Sequence, residues 1–160
     1  PPPPGGTSLR LAPAEGTAME LVTYPDSEMM MIEVAQRLAG ELRQALASGE
    51  GASIAVSGGT TPGPIFDSLS GADLDWERVS VLLTDERWLP EDSPRSNTRL
   101  VRQRLLVGRA AGARFLPLHA DAATPEEGVP LLAPAIAEVL PLTTCLLGMG
   151  EDMHTASLFP

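Results

Sequence analysis

Three short apolar segments constrain the fold of this chain most, because each ends abruptly in glycines or polar residues. They are Ala52–Val56, Val79–Leu83 and residues 142–147. A nearly continuous apolar strand is usually covered on both faces, which is typical of a parallel sheet between two helix layers. The sequence therefore predicts parallel strands whose carboxyl ends meet at one polar edge.

Segments with helical spacing or helix-start composition separate these strands. They are residues 28–47, 65–69, 98–106 and a segment that begins at Thr124. Asp26 or Ser27 can cap the first helix, whereas Pro130 and Pro134 should break or kink the last one. Further short strands are predicted at residues 19–24 and 115–118. This alternation, without an internal repeat, predicts a three-layer α/β/α, Rossmann-like domain with a mostly parallel sheet.

The length and composition indicate one domain. A chain of 160 residues can bury roughly 70% of the surface that its unfolded form exposes, which suffices for a single core. Residues 1–17, which open with four prolines and two glycines, are expected to be a disordered or artificially added tail. Residues 18–160 are expected to form the one α/β domain.

The charge balance limits the partners of this chain. Its formal net charge is −10, from 21 acidic residues, 11 arginines and no lysine, which opposes nonspecific contact with nucleic acid or an anionic membrane. An anionic ligand must therefore be held by local arginines and backbone N–H groups. No segment resembles a membrane span or a signal peptide. The single cysteine, Cys145, allows no intrachain disulfide, so we expect a cytoplasmic protein and a buried thiol.

The glycine loop, residues 57–63, follows the first apolar strand. Gly58 and Gly59 let the backbone approach a ligand closely, while Thr60 or Thr61 can cap the helix that follows. The pattern predicts an anion-binding cradle at a helix N-terminus. It lacks the lysine of a P-loop and the glycine spacing of a dinucleotide site, and an ordinary turn is the alternative.

The acidic loop, residues 84–88, follows the second strand and contains Asp85, Glu86 and Arg87. Two carboxylates and a guanidinium at a strand end favour binding of a polar ligand. The alternative is an ion pair on a solvated loop.

The histidine loop, residues 148–160, follows the third strand. It presents the carboxylate of Asp152, the imidazole of His154 and the hydroxyl of Thr155. Ligands of open α/β folds bind at the carboxyl edge of the sheet, where these groups are predicted to lie. His154 is the natural candidate for a general base, because imidazoles titrate near neutral pH.

Taken together, the three loops resemble the 6-phosphogluconolactonase family, within the glucosamine- and galactosamine-6-phosphate isomerase superfamily. The run at residues 57–62, the run at 84–87 with Ser96 and Asn97 downstream, and residues 148–160 occur in that family's order and approximate spacing. The related glucosamine-6-phosphate deaminases carry tyrosine after Asp-Glu, where this chain has Arg87. The lactonase branch is therefore the better match.

The resemblance implies hydrolysis of 6-phospho-D-glucono-1,5-lactone to 6-phospho-D-gluconate, in the oxidative pentose phosphate pathway, without metal or organic cofactor. His154 would be the general base, and Asp152 would orient it or the substrate hydroxyls. The residues implied to bind the sugar-phosphate lactone are Ser57, Gly58, Gly59, Thr60, Asp85, Glu86, Arg87, Asn97 and Thr155. Loop amides and Arg87 would hold the 6-phosphate. Asp85 and Glu86 would bind sugar hydroxyls or position Arg87.

Two departures from the family pattern leave alternatives open. Met153 stands where the family has glycine, so a requirement for positive φ would strain the site. Family members also extend beyond the last residue here, so the sugar-phosphate-binding domain over residues 18–160 is expected to be incomplete at its C-terminus. One alternative is an amino-sugar-phosphate isomerase or deaminase, which would release ammonia. The other is a catalytically silent sugar-phosphate-binding module, which would bind 6-phosphogluconate without hydrolysing the lactone. An oligomer is compatible with all three.

Overall fold

The computed structural model describes residues 7–11 and 19–160. Its strands are β1 Thr7–Leu11, β2 Met19–Thr23, β3 Ala52–Val56, β4 Val79–Leu83, β5 Arg114–Leu116 and β6 Thr144–Leu146. Its α-helices are α1 Ser27–Ser48, α2 Gly63–Ser70, α3 Asn97–Arg104 and α4 Pro125–Ala137, with short 3₁₀ turns at Trp76–Arg78 and Gly108–Gly112. Strands and α-helices alternate from β3 onward, as predicted.

Four of the strands form one parallel sheet in the order β5-β4-β3-β6. Ile54 of β3 lies opposite Val81 of β4 and Thr144 of β6. Because all four strands run in the same direction, their carboxyl ends lie at one edge of the sheet. The mostly parallel sheet predicted from the apolar segments is therefore confirmed.

Helices cover both faces of this sheet. Ile54 and Val56 point to a core formed with α1, α2 and α3, in which Leu42 and Phe66 are completely buried. Ala55 lies between them in β3 and points to the opposite face, where it packs with partly buried residues of α4. Side chains of a strand alternate between its faces, so a strand that is apolar on both faces belongs between two layers. This arrangement confirms the three-layer α/β/α fold.

The first helix begins and ends where the sequence predicts. Asp26 Oδ1 accepts a hydrogen bond from the Met29 N–H at 2.8 Å, and Gly49 is the C-cap residue. The Arg78 guanidinium donates to the carbonyl oxygens of Gly49 and Glu50, just past the helix. A cation at this position stabilises the negative end of the helix dipole and fixes the turn into β3.

Two expectations about the second half of the chain are wrong. The first is the break in α4, which instead continues through Pro130 and Pro134 to Ala137, whereas the kink that was its alternative stays a prediction. Both prolines are exposed and lie four residues apart, so their rings and missing N–H groups share the solvent side of the helix. Cys145 is exposed rather than buried, because β6 is an edge strand of the sheet.

The tail predicted over residues 1–17 falls mainly on positions 1–6 and 12–17, which lie outside the described residues. Within that span, Thr7–Leu11 forms β1 and pairs antiparallel with β2, with Leu9 opposite Leu21. This part differs from the expected tail, since backbone pairing with β2 orders it. The two strands form a sheet of their own.

Candidate functional site

A cleft of about 490 Å³ opens at the carboxyl edge of the parallel sheet. The glycine loop, the acidic loop and the histidine loop all contribute to its wall. The polar part of the lining consists of Ser57, Gly58, Gly59, Thr60, Thr61, Asp85, Arg87, Asn97 and His154. Residues from three distant parts of the chain therefore meet at one site.

The glycine loop leaves backbone donors available to a ligand. Within the described ranges, the N–H groups of Gly58, Gly59 and Thr60 donate to no protein acceptor. Pro62 is the N-cap of α2 and no side chain caps that helix, so the predicted capping by Thr60 or Thr61 is wrong. Both threonines line the cleft instead. The unused amides and the helix N-terminus together suit an anion.

Gly58 and Asn97 join the glycine loop to the acidic loop. A Cβ at position 58 would lie 2.0 Å from Asn97 Oδ1, so only glycine allows this close approach. The amide nitrogen of Asn97 donates to the backbone oxygen of Asp85 at 3.1 Å. Asn97 is buried at the start of α3 and thereby sets the separation of the two loops.

Glu86 anchors the acidic loop to the N-terminus of α3. Its carboxylate accepts hydrogen bonds from the N–H groups of Arg87, Asn97 and Thr98, each at 2.8 Å. The hydroxyls of Ser96 and Thr98 donate to the same carboxylate at 3.2 and 2.8 Å. Burial raises the pKa of Glu86, but these donors outweigh burial and hold the pKa below its usual range. Glu86 does not line the cleft, and its carboxylate lies at the N-terminus of α3.

Arg87 is the arginine that lines the cleft. Its guanidinium donates to the backbone oxygen of Arg95 at 2.6 Å and has no carboxylate partner in the part of the chain that the structure describes. Six other arginines form ion pairs with carboxylates: Arg37, Arg78, Arg102, Arg104, Arg109 and Arg114. An exposed guanidinium without a carboxylate partner is suited to binding an anion in this acidic chain.

The imidazole of His154 is held from three sides within the histidine loop. Its Nδ1 contacts Asp152 Oδ1. Phe159 stacks on the ring with the centroids 5.0 Å apart, and a Cβ at Gly150 would lie 2.2 Å from Cε1. An ionised carboxylate only accepts hydrogen bonds, so Nδ1 carries the proton and Nε2 is the basic nitrogen. The geometry therefore leaves His154 able to accept a proton.

Asp152 is placed to orient this imidazole. Hydrogen bonds from the His154 ring and from the His154 backbone N–H, at 3.4 Å, lower the pKa of Asp152. The carboxylate is exposed and does not line the cleft. Its position suits contact with the imidazole, the first of the two roles that the sequence left open.

Thr155 and Ser157 occupy different positions in the histidine loop. Thr155 is half-buried and does not line the cleft, and its backbone pairs with that of Leu158. Ser157 Oγ donates to Asp85 Oδ2 at 2.6 Å and so links the histidine loop to the acidic loop. Sequence reasoning missed Ser157, because no local pattern distinguishes it from other serines.

Sequence reasoning also missed the apolar part of the cleft. These residues are Met30, Val34, Pro62, Ile65, Leu146, Leu147, Met149 and Ala156. Met30, Val34 and Ile65 have the spacing of ordinary helix packing, so only the docking of α1 and α2 on the sheet reveals them. Pro62, Met149 and Ala156 lie in the glycine and histidine loops that the sequence had already indicated. Across residues 7–11 and 19–160, no group of three or more His, Cys, Asp or Glu could hold a metal ion. The same ranges contain no helix with the length and apolarity needed to cross a membrane.

The fold and the cleft define an α/β domain with a candidate base and a loop suited to an anion at the carboxyl edge of its sheet. The family model described as glucosamine-6-phosphate isomerases/6-phosphogluconolactonase matches residues 25–160. The chain therefore belongs to the glucosamine-6-phosphate isomerase/6-phosphogluconolactonase family.

Individual relatives carry the lactonase name. A 6-phosphogluconolactonase from Pseudomonas aeruginosa is 48% identical over 79% of this chain and 54% of its own length. One from Rhizobium meliloti is 46% identical over 84% of this chain and 56% of its own length. The crystal structure of a 6-phosphogluconolactonase from Shewanella baltica matches with a TM-score of 0.82 at 38% identity, over 86% of this chain and 59% of that one. The chain thus spans little more than half the length of these relatives.

Proposed function

We propose that this site hydrolyses 6-phospho-D-glucono-1,5-lactone to 6-phospho-D-gluconate, in the oxidative pentose phosphate pathway. The observation that carries the proposal is the shared cleft. Its wall contains an imidazole with a carboxylate on Nδ1, a loop of unused backbone amides, and the Arg87 guanidinium. These groups suit a substrate with a reactive carbonyl at one end and a phosphate at the other. The names of the relatives support the same reaction.

In this proposal the phosphate binds to the glycine loop and Arg87. The amides of Gly58, Gly59 and Thr60 would donate to phosphate oxygens, beside the N-terminus of α2. The guanidinium of Arg87 can bind two of those oxygens at once. Asp85 and Asn97 also line the cleft and would contact sugar hydroxyls.

His154 would supply the chemistry. Its Nε2 would take a proton from a water molecule as the water oxygen attacks the lactone carbonyl carbon. The tetrahedral oxyanion would then collapse, breaking the bond between the carbonyl carbon and the ring oxygen. The imidazolium would return its proton to the departing oxygen. Asp152 would keep the imidazole in the required tautomer and stabilise its charged form.

The proposed reaction sets the partners of the site. It requires a small sugar-phosphate lactone and water, and no metal or organic cofactor. A net charge of −10 disfavours nucleic acid as a ligand. A cytoplasmic setting is part of the proposal, since the one cysteine allows no intrachain disulfide.

The test is the rate at which freshly prepared lactone disappears in the presence of the chain. We expect a rate above the spontaneous one, and a return to the spontaneous rate with His154→Ala at the same concentration. Release of ammonia from glucosamine 6-phosphate would favour a deaminase instead. Binding of 6-phosphogluconate without faster lactone loss would favour a silent binding module.

A further inference from the structure

The histidine loop is bonded mostly to itself. Its backbone hydrogen bonds join Gly150 to His154, Met153 to Gly150, and Thr155 to Leu158. The contacts of the His154 ring with Asp152 and Phe159 are also internal to the loop. These bonds fix the shape of the loop, but they do not fix its place against the rest of the cleft.

One hydrogen bond among the described residues connects residues 150–160 to the rest of the chain. It runs from Ser157 Oγ to Asp85 Oδ2, across 72 positions of sequence, and measures 2.6 Å. That length is typical of a hydroxyl bonded to a carboxylate, which is stronger than a bond between neutral groups. Asp85 is itself held, because its backbone oxygen accepts a hydrogen bond from the buried Asn97.

We infer that Ser157 is a positioning residue, which sets His154 against the acidic loop through Asp85. The expected effect of Ser157 on catalysis rests on the proposed function. The bond joins the loop that carries the imidazole to the loop that carries Arg87, so it sets the position of the His154 imidazole relative to the Arg87 guanidinium, and thereby relative to the carbonyl of a bound substrate. A displacement of about 1 Å at such a contact can cost roughly 100-fold in rate.

Ser157→Ala removes the bond, and Ser157→Thr keeps a hydroxyl at the same position. We expect the alanine variant to lower kcat about 10- to 100-fold while changing KM much less, because phosphate capture does not involve the histidine loop. The threonine variant should recover most of kcat. Ser68→Ala, at an exposed serine of α2 away from the cleft, is the matched control and should keep wild-type kcat.

Asp85→Asn separates the two possible roles of Asp85. Its amide oxygen can still accept from Ser157, so the link survives while the negative charge is lost. Because Asp85 also lines the cleft and is proposed to contact sugar hydroxyls, the activity of this variant should fall, and the order of the histidine loop, rather than kcat, reports on the link. A fall in activity while the loop stays ordered would show that Asp85 also contacts the substrate, and Ser157→Ala would still report on the link.

Hydrogen–deuterium exchange of residues 148–160 supplies a readout that does not depend on activity. We expect faster exchange in Ser157→Ala, wild-type exchange in Ser157→Thr and Asp85→Asn, and little change elsewhere. If the wild-type chain does not hydrolyse the lactone, the proposed function fails, and the exchange data still decide whether Ser157 holds the loop. Unchanged exchange in Ser157→Ala, or faster exchange with unchanged kcat, would overturn the positioning role.

Discussion

The acidic loop and the histidine loop border the same cleft but are held in place in different ways. In the acidic loop, the Glu86 carboxylate accepts hydrogen bonds from backbone N–H groups at the start of α3. The side-chain amide of Asn97 donates to the backbone oxygen of Asp85. Among the described residues, the hydrogen bonds of the histidine loop are internal except for the one from Ser157. Large side chains of this loop are also exposed, including Met153 at 70% and Leu158 at 77%.

This difference suggests a division of labour within the cleft. A tightly bonded loop carries the group proposed to bind the phosphate, and a loosely attached loop carries the proposed base. Regions with few buried contacts open most easily, so the histidine loop should adjust around a substrate that the acidic loop already holds. Changes in the acidic loop should therefore affect binding and stability, whereas changes in the histidine loop should affect turnover.

The largest effect should come from His154→Ala. Loss of a general base lowers kcat by about 100- to 10,000-fold, while binding of 6-phosphogluconate should persist because the phosphate-binding groups remain. Lactone assays and calorimetric titration measure the two quantities separately. The other histidine, His119, packs on Trp88 outside the cleft lining, so His119→Asn should keep most of the activity. Equal losses of binding and turnover in His154→Ala would break the comparison.

Arg87→Ala should act on binding. Removal of a charge-assisted contact to phosphate costs about 1.5–3 kcal/mol, so KM should rise by roughly 10- to 100-fold with a smaller change in kcat. Arg95→Ala is the matched control, because it removes an arginine charge while keeping the backbone oxygen that holds Arg87. A similar rise in KM for both variants would indicate a general charge effect and remove Arg87 from the phosphate site.

Glu86→Gln should lower stability without abolishing the chemistry. An amide cannot accept all the donors that surround this carboxylate, and an unsatisfied buried group costs about 1–3 kcal/mol in the free energy of unfolding. Glu91→Gln, which breaks an exposed ion pair with Arg102, should cost about 0–1 kcal/mol. Urea denaturation of the three proteins measures the difference. Equal midpoints would show that Glu86 does not anchor the loop.

The pH dependence of this stability has a definite sign. The pKa of Glu86 is lowered in the folded chain from an ordinary value of 4.5. The unfolded state therefore binds the proton more readily. The contribution of Glu86 should be fully present above that ordinary value and should be lost as the pH falls through the folded pKa. The acid-dependent loss of stability should be smaller in Glu86→Gln.

The features that could be predicted from the sequence depend on neighbouring residues. The strand before each loop and the glycines or charges after it were enough to predict the parallel sheet and its polar edge. The features that could not be predicted depend on distant contacts or on side-chain direction. The Glu86 carboxylate bonds to the start of α3 and does not line the cleft. Ser157 donates to Asp85, which lies far from it in sequence. Met30 lines the cleft only because α1 packs on the sheet.

The smallest effect should come from Met153→Gly, which tests whether backbone strain at Met153 lowers the stability and the turnover of the histidine loop. Met153 has a φ of 67°, a left-handed conformation that costs a non-glycine residue about 1–2 kcal/mol. Glycine relieves that cost but adds about 0.4–1 kcal/mol of unfolded-state entropy, so the net gain in stability should lie between about 0 and 1.6 kcal/mol.

A better-populated loop geometry should also raise kcat of Met153→Gly slightly, measured in the same lactone assay. Glu151→Gly adds flexibility two residues away, at a position without positive φ, and should lower kcat. A matching fall in both variants would show that flexibility of the histidine loop, rather than strain at Met153, limits turnover. The histidine loop would then be held even less firmly, relative to the acidic loop, than the hydrogen bonds alone indicate. Any flexibility that the Ser157 link does not restrain would move His154 away from the bound substrate.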